Sequence, residues 1–473
     1  MTQPGDMTRR AFLARTGALA LAASSPATLL AACGRGPQAT ATPAGSPVIR
    51  SEPPSGSLPP VVDPTPVTAT YGDLLETSAI APVGVPSAAL RSLLDEVTAD
   101  AGIPVEDVTV DGRRQARLTI VADDASFASQ AYRLAVEATS DGPVVTIRAG
   151  DEAGAWNGLL SLRRLTVAAG GTRWIRAATV DDAPGFIRRG AILDPFILPD
   201  TGVTAASQAL LLERVRFGVR GKLNFVDLPD RTPWPELVRY CEAHHVELMV
   251  AKGYRDWLSS APRADVKAAL AAQLDAGARS IALNWDDIPT TNPEALARGH
   301  MAVFNDLYAD LRGRDPGVRI SIVLPPYGGI PGRNLVFSDP GAGERYLAIV
   351  HDALPADVRV FWTGDGGVFS GEVTTAGARA YADAVGHEVG LWDNDTITFS
   401  RTRKPCSGRA ADLDTVVHAY MGNLAGEANW SGTNGEFALL TSLLYAWNPG
   451  AYDPGEGAAT AERLIAAGPS AAR

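Results

Sequence analysis

Residues 279–289 read RSIALNWDDIP, an apolar run that ends in two adjacent acids, Asp286 and Asp287. A short apolar run bounded by turn residues is typical of a strand buried on both faces, and a helical stretch follows this one. The same unit recurs between residues 181 and 465 at spacings of roughly 25 to 40 residues. Its eight predicted strands begin near Ile187, Lys222, Val246, Arg279, Val318, Val358, Glu388 and Val416.

Eight such units over about 280 residues predict an α/β fold, a (β/α)8 TIM barrel, whose usual size is about 250 residues. An open doubly wound sheet is the alternative, but the glycine-rich phosphate-binding fingerprint that would favour it is absent. A small α/β domain is predicted before the barrel, over residues 68–180. It has predicted helices at 87–99 and 151–167 and predicted strands at 116–122 and 144–149.

The first 33 residues have the pattern of an export signal. Arg9 and Arg10 precede a modest apolar run, the layout of a twin-arginine signal, and Cys33 ends a Leu-Ala-Ala-Cys sequence that resembles a bacterial lipobox. The apolar run is far shorter than the roughly 20 residues that span a bilayer. We therefore expect an exported, extracytoplasmic protein with a lipid anchor on Cys33. A cleaved signal and free secretion is the alternative.

Residues 34–67 are rich in Pro, Ser, Thr and Gly, a composition that predicts a disordered linker. The whole chain has 473 residues, 46% of them hydrophobic and 20% charged, as in a soluble globular protein. Its formal net charge of −11 argues against nucleic acid as a partner. Only Cys241 and Cys406 follow Cys33, so one disulfide is possible but a disulfide scaffold or a zinc site is not expected.

Polar and aromatic side chains follow the predicted strands at their carboxyl ends, where a TIM barrel carries its active site. Aromatic rings stack on the C–H faces of sugars, while carboxylates and amides bind hydroxyl groups, so this mixture favours a carbohydrate ligand. These residues are Asp194, Asp227, Lys252, Asp286, Asp287, Tyr327, Trp362, Asp365, Trp392, Asp393, Asn394 and Asn423.

The adjacent acids are the strongest catalytic candidates. Two carboxylates side by side repel each other, and repulsion with burial is how a protein keeps a carboxylic acid protonated near neutral pH for general acid work. A solvated turn at the strand end is the alternative, and Trp285, Ile288 and Pro289 around the pair argue against free solvation.

Taken in order, these fragments resemble glycoside hydrolase family 84, the β-N-acetylglucosaminidases that include O-GlcNAcases and hyaluronidase-like members. The segment Trp285-Asp286-Asp287-Ile288 resembles the catalytic pair of the family. The other matching fragments are Asp182-Ala183-Pro184 with Arg189-Gly190, Lys222-Leu223-Asn224, Pro325-Pro326-Tyr327, Phe361-Trp362-Thr363-Gly364, Trp392-Asp393-Asn394, and Asn423 with 445–449. The domain before the barrel is similar to the N-terminal domain of the family.

The resemblance implies a substrate-assisted retaining mechanism, in which the 2-acetamido oxygen of the sugar attacks C1 and forms an oxazoline. Asp286 would orient the acetamido N–H, and Asp287 would act as general acid and then general base. The implied substrate is an N-acetylated amino-sugar glycan or glycoconjugate, and the resemblance implies no metal or cofactor. The implied sugar-binding residues are Asp194, Tyr327, Trp362, Trp392, Asn394, Phe399 and Asn423.

Two of these positions depart from the family pattern. Asp194 stands in a segment that replaces the Gly-Phe-Tyr-Gly of the family, and Phe399 stands where an aspartate is expected five residues after Asn394. The catalytic pair is thus kept while the sugar-recognition residues differ, and an apolar or more open O4/O6 end of the pocket is expected at Phe399. A non-catalytic glycan-binding lipoprotein on a degenerate barrel is the alternative, and a solute-binding lipoprotein is a third.

Several other residues are expected to have structural roles. Trp362 and Trp392 could be barrel packing residues instead of sugar platforms. His244 and His245 are predicted to lie on the surface, and His300 and Asn305 are interpreted as structural residues of the helix after the acids.

Overall fold

The computed structural model describes residues 48–467 except 54, 56–59, 62, 101, 107–114, 170, 194–203, 230, 254–261, 287, 289–290 and 330–340. Arg9, Arg10 and Cys33 of the predicted signal lie outside the described residues, as do Asp194 and Asp287.

The amino-terminal part is built on one mixed sheet. Its strands are β1 (Ile49–Arg50), β2 (Thr68–Thr77), β3 (Ala79–Gly84), β4 (Gln115–Val121), β5 (Tyr132–Thr139), β6 (Gly142–Ala149), β7 (Thr166–Ala169) and β8 (Thr172–Asp182). The order across the sheet is β1-β2-β8-β5-β6-β4-β3, and β7 pairs with β8.

Two helices accompany this sheet, α1 (Ala88–Asp100) and α2 (Glu152–Arg164). Asp151 begins α2 as its N-cap, since its side chain accepts a hydrogen bond from the backbone N–H of Gly154 at 2.7 Å. Helix α2 packs against β5 and β6. It ends before the predicted limit at 167, because residues from Thr166 onward pair with β8 as β7, a long-range pairing that helical periodicity does not reveal.

Some described residues of the predicted linker, 34–67, have defined partners in the fold. Strand β1 pairs with β2, and the carboxylate of Asp63 forms buried ion pairs with Arg164 and Lys222. Composition alone predicted disorder for these residues because their partners lie about a hundred residues or more further along the chain.

Eight parallel strands form a closed barrel after this sheet, which confirms the predicted fold class. They are β9 (Arg188–Ile192), β10 (Phe225–Asp227), β11 (Glu247–Gly253), β12 (Ser280–Asn284), β13 (Arg319–Val323), β14 (Arg359–Trp362), β15 (Val389–Asp393) and β16 (Val417–Asn423). Neighbours in sequence are neighbours in the barrel, and β16 closes it on β9.

The second barrel strand begins at Phe225 and not at Lys222 as predicted. Lys222 has a φ of 65° and its backbone N–H donates to Val219 at 2.8 Å, so residues before Phe225 form the turn that ends the preceding helix. The strand was predicted too early because Leu223, an apolar residue, lies in this turn.

Each barrel strand is followed by one helix. These are α3 (Ala205–Arg220), α4 (Pro235–Ala243), α5 (Arg263–Asp275), α6 (Pro293–Arg314), α7 (Ala342–Ala353), α8 (Thr375–Val385), α9 (Asp395–Thr402) and α10 (Asn434–Trp447), and α11 (Pro454–Ala466) packs on α10. Among the described residues no helix is both long and apolar enough to cross a membrane.

Side chains alternate between the barrel interior and the layer under the helices. Ala282, Val323, Phe361 and Trp392 belong to the interior cluster, whereas their neighbours in sequence belong to the outer core. Gly190 fits beside Phe225 only because it lacks a side chain, since a Cβ there would lie 2.2 Å from the Phe225 carbonyl oxygen. This alternation decides which rim residues can reach a ligand.

A buried ion network joins the sheet to the barrel. Lys222 Nζ lies 3.1 Å from Asp182 Oδ2 and 3.5 Å from Asp63 Oδ2, and it donates to the Tyr132 hydroxyl at 3.0 Å. Trp447 Nε1 donates to Asp182 Oδ1 at 2.8 Å. The last strand of the sheet is therefore fixed to both the first and the last βα units of the barrel.

Candidate active site

Asp286 lies at the carboxyl end of β12, on the interior face of the barrel by strand alternation. Ala282 and Asn284 precede it on that face, and Trp285 points the other way, into the outer core. The backbone N–H of Trp285 donates to the Val323 carbonyl at 2.8 Å, so the β-ladder continues to this residue. Asp286 is half-buried at the mouth. Asp287 is outside the described residues, and its proposed role stays a prediction.

Trp285, the residue before Asp286, is held in place by residues of α6 and α7. Its ring stacks on His300 at 4.2 Å between centroids, and His300 Nδ1 is 2.6 Å from the Tyr346 hydroxyl. Burial lowers the pKa of His300 to about 3, so this imidazole is uncharged at any pH at which the protein would work. These contacts, and a hydrogen bond from Asn305 Nδ2 to the Ala353 carbonyl at 3.0 Å, are those of packing residues.

Asn394, Trp392 and Asn423 form one hydrogen-bonded group at the ends of β15 and β16. Asn394 Oδ1 accepts from Trp392 Nε1 at 2.9 Å and from Asn423 Nδ2 at 2.8 Å, and Asn394 Nδ2 donates to the Val368 carbonyl at 2.8 Å. The structure thus brings three of the predicted sugar-binding residues together. Each is less than a tenth exposed, so their geometry is fixed before any ligand arrives.

Tyr327 lies with Trp392 in the interior cluster, beyond the end of β13. Its carbonyl accepts hydrogen bonds from the backbone N–H of Thr363 at 2.8 Å and from the Thr363 hydroxyl at 3.2 Å. Ser370 Oγ donates to the Thr363 carbonyl at 2.9 Å and holds the loop after β14 in place. The segment after the neighbouring strand β14 therefore fixes the backbone of Tyr327.

Asp393, next to Asn394, is held by an ion pair that the sequence reasoning did not foresee. Arg409 donates to its two carboxylate oxygens at 2.9 and 2.6 Å, and Tyr420 donates to Oδ2 at 2.7 Å. Arg409 also lies 3.2 Å from Asp395, whose pKa is raised by burial. The opposite charge of Asp393 raises the pKa of Arg409, although burial opposes it. No spacing in the sequence signals this pairing.

Asn284 is a second residue of the mouth that the sequence reasoning missed. It is buried on the interior face two residues before Asp286, and its Oδ1 has no hydrogen-bond partner among the described residues. Strand alternation counted back from Asp286 could have found it.

Trp362 does not belong to the mouth, and its prediction as a sugar-binding residue is corrected here. Its side chain is 0% exposed and stacks on Tyr381 of α8 at 5.9 Å, in the core outside the barrel. Phe361 and Thr363 flank it on the opposite face. Packing, the alternative left open from the sequence, describes this residue.

Phe399 lies on α9 with 1% exposure, in the same outer core, and the guanidinium of Arg409 is 5.1 Å from its ring. A direct contact with a sugar would require the ring to leave that core. The expectation that Phe399 lines the recognition pocket is therefore wrong for the position that its side chain occupies.

His244 is also corrected, because it is buried and not on the surface. Its ring stacks on Tyr240 at 3.8 Å, and Nε2 is 2.7 Å from the Glu96 carboxylate of α1, so it joins the barrel to the small domain. Cys241 and Cys406 are both buried free thiols. Among the described residues, no three His, Cys, Asp or Glu side chains are grouped so as to hold a metal ion.

Comparison with known proteins identifies the families that this chain resembles. A family model described as beta-N-acetylglucosaminidase matches residues 234–472, just over half of the chain, and a model described as glycosyl hydrolase family 20, domain 2, matches residues 63–183.

Solved structures share the fold at low identity. CpGH84B is 18% identical, with a TM-score of 0.66 over 86% of this chain and 74% of that chain. CpGH84D is 18% identical, with a TM-score of 0.63 over 84% and 70%. A chitobiase from Flavobacterium johnsoniae is 12% identical, with a TM-score of 0.56 over 86% and 73%. With the family match over six of the eight barrel strands and a fold like that of GH84 structures, the chain belongs to the β-N-acetylglucosaminidase family and is a glycoside hydrolase acting on N-acetylglucosamine.

Proposed function

We propose that the chain is an exported lipoprotein that removes terminal β-linked N-acetylglucosamine-type sugars by a substrate-assisted retaining mechanism. The observation that carries the proposal is the position of Asp286 after β12, at the carboxyl end of the barrel, in a chain of this family in which the next residue in sequence is Asp287. In an ordinary retaining enzyme the second carboxylate is the nucleophile, whereas an N-acetylated sugar can supply its own acetamido oxygen instead. The two adjacent acids are sufficient when the substrate supplies its own nucleophile.

The proposed reaction has two steps. The acetamido carbonyl oxygen attacks C1 and forms the oxazoline while the bond from C1 to the leaving oxygen breaks, and Asp287 gives its proton to that oxygen. Asp286 accepts a hydrogen bond from the acetamido N–H and stabilises the positive charge that develops on the amide, so the oxazoline forms in its protonated state and the proton stays on nitrogen until the ring opens. Water then attacks C1, Asp287 takes a proton from the water, and the oxazoline opens to the product with retained configuration.

The surrounding residues support this assignment of the ligand. Tyr327, Trp392, Asn394 and Asn423 offer an aromatic surface, a hydroxyl and amide groups at the same mouth as Asp286.

Replacement of each acid by its amide separates their roles. Asp287→Asn removes the proton donor, so hydrolysis of substrates with poor leaving groups should fall about 10²-fold or more while activated aryl substrates are spared. Asp286→Asn should slow every substrate, because the cyclisation itself loses its partner. The measurement is kcat/KM on aryl N-acetyl-β-D-glucosaminides of graded leaving-group pKa.

The matched control for both changes is Asp365→Asn. Asp365 follows β14, which lies two strands from β12 in the barrel, and its side chain accepts a hydrogen bond from the backbone N–H of Thr374 at 2.6 Å, a bond that asparagine also accepts. Its kinetics should equal those of the wild type. If the Asp286 and Asp287 variants also match the wild type, the two acids are not catalytic and the proposed mechanism is wrong.

Export rests on Arg9, Arg10 and Cys33 alone. Replacement of both arginines by lysine should leave the protein in the cytoplasm, and Cys33→Ala should release it from the membrane fraction. Absence of lipid labelling in the wild type would contradict the anchor while leaving the hydrolase proposal intact.

A further inference from the structure

The loop between β14 and α8, residues 363–374, lies at the carboxyl end of the barrel and carries an exposed aromatic ring. Phe369 is 43% exposed, whereas Tyr327 and Trp392 of the same mouth are 4% and 5% exposed. Among the large hydrophobic side chains that are exposed in the described part of the chain, Phe369 is the one aromatic ring. A Cβ built on Gly367 or on Gly371, two residues before and after it, would meet no described atom within 4 Å. The space beside this part of the loop is therefore open to a ligand.

The hydrogen bond of Asn394 to this loop places Phe369 close to the predicted sugar-binding residues. Asn394 Nδ2 donates to the Val368 carbonyl at 2.8 Å, and the peptide bond joins that carbonyl to the nitrogen of Phe369. The Phe369 nitrogen is therefore within about 5 Å of Asn394 Nδ2. The Val368 side chain packs against the interior cluster that contains Tyr327 and Trp392. Phe369 thus lies at the outer edge of that group.

Hydrogen bonds hold the backbone of the loop in place. Ser370 Oγ donates to the Thr363 carbonyl at 2.9 Å and accepts from the backbone N–H of Gly366 at 2.9 Å. The backbone N–H of Gly329, in the loop after β13, donates to the Gly364 carbonyl at 2.8 Å. The exposed ring is therefore carried on a fixed backbone, so little conformational entropy of the loop is lost when a ligand binds there.

We propose that Phe369 is a specificity residue for the leaving group and stacks on the C–H face of a second hexopyranose, the sugar to which the N-acetylglucosamine is linked. The inference rests on the proposed removal of a terminal sugar. Buried side chains, among them Phe361 and Met421, fill the barrel beneath the mouth, so a glycan enters with its terminal sugar first and the rest of it points toward solvent. The leaving sugar then meets the exposed residues of the mouth, where Phe369 offers a flat apolar face.

Comparison of two kinds of leaving group on the full chain tests this assignment. N-acetyl-β-D-glucosaminyl fluoride has a leaving group of one atom, whereas a disaccharide of N-acetylglucosamine β-linked to glucose has a sugar at that position. The measurement is kcat/KM for the fluoride and for disaccharides linked through O3, O4 or O6 of the glucose. Phe369→Ala should lower kcat/KM for the best of these disaccharides about three- to tenfold more than for the fluoride, as expected for the loss of one stacking contact.

Three further variants separate stacking from other effects. Phe369→Tyr keeps the ring and should keep the wild-type ratio of kcat/KM between disaccharide and fluoride. Phe369→Leu keeps an apolar side chain without a flat face and should behave like Phe369→Ala. Leu210→Ala is the matched control, because Leu210 is an exposed apolar residue on the outer helix α3, and this change should leave the ratio unaltered.

The outcomes distinguish this inference from the proposed function. If the wild type hydrolyses the fluoride but none of the disaccharides, or if Phe369→Ala leaves the ratio at the wild-type value, the contact of Phe369 with a leaving sugar is wrong and the hydrolase proposal stands. If the wild type hydrolyses neither the fluoride nor any disaccharide, the proposed function is wrong and the inference is overturned with it.

Discussion

Two tryptophans at the ends of adjacent strands, β14 and β15, lie in different environments. The cause is that a strand directs alternate residues to opposite faces. Trp392 faces the barrel interior and donates its indole N–H to Asn394, whereas Trp362 faces the helices and packs on Tyr381. A tryptophan at a strand end therefore binds sugar only if its position in the alternation is the interior one.

Exchange of each tryptophan for phenylalanine tests this distinction. Trp392→Phe removes the donor to Asn394 and should raise KM several-fold through loss of about 1 kcal/mol of hydrogen bonding. Trp362→Phe should leave KM unchanged and lower the free energy of unfolding by about 1 kcal/mol through the smaller ring volume. Steady-state kinetics and denaturant titration measure the two effects. An increase in KM for Trp362→Phe equal to that for Trp392→Phe would return Trp362 to the site.

The segment that carries Asn394, one of the predicted sugar-binding residues, depends on one buried cation. Arg409 is 1% exposed and holds Asp393, the last residue of β15, immediately before Asn394. Removal of one partner of a buried ion pair leaves the other charge uncompensated, which is far more costly than loss of an exposed pair. The position of Asn394 therefore rests on Arg409 as much as on the strand.

Arg409→Met should lower the free energy of unfolding by about 3–5 kcal/mol and raise KM. Arg403 is a control from the same segment, since its ion pair with Glu462 is 34% and 52% exposed. Arg403→Met should cost about 1 kcal/mol or less and leave KM unchanged. Denaturant unfolding of the two variants measures both free energies of unfolding. An equal decrease in the two variants would show that the buried Arg409 ion pair is not what holds β15.

At this scale the sequence predicted most of the barrel. Seven of the eight strands begin within one residue of the predicted position, because buried parallel strands leave short apolar runs between turn residues. The failures have other causes. Lys222 has a left-handed backbone, and Asp63 and Arg409 act through partners distant in sequence, information that local patterns do not contain.

In the whole molecule, the small domain and the barrel meet through charges that are buried on both sides. Lys222 lies between Asp63 and Asp182, with Trp447 3.9 Å from its Nζ. Burial lowers the pKa of Lys222 to about 7, helped by the nearby cation of Arg164, although Asp182 opposes the shift. Desolvation of the Lys222 ammonium group thus affects its pKa more than its ion pairs do.

This lowered pKa makes the stability of the protein depend on pH. Between about pH 7 and 10.5 the unfolded chain binds a proton at this lysine that the folded chain has lost, so the free energy of unfolding rises with pH across that interval. Lys222→Met removes the titrating group and so abolishes this pH-dependent contribution. The stability difference between wild type and variant should widen as pH rises above 7. Parallel pH profiles would contradict the assignment.

The measurement that most directly tests the central claim uses 4-nitrophenyl β-glucosaminides whose 2-acetamido group carries none, one, two or three fluorines. Fluorine withdraws electrons from the carbonyl oxygen and makes it a poorer nucleophile. If that oxygen attacks C1 with the help of Asp286, kcat/KM should fall with each fluorine, and the first product seen by NMR should be the β-anomer. Hydrolysis at a rate indifferent to fluorine, an α-anomer as first product, or no hydrolysis at all would contradict substrate-assisted catalysis by this site.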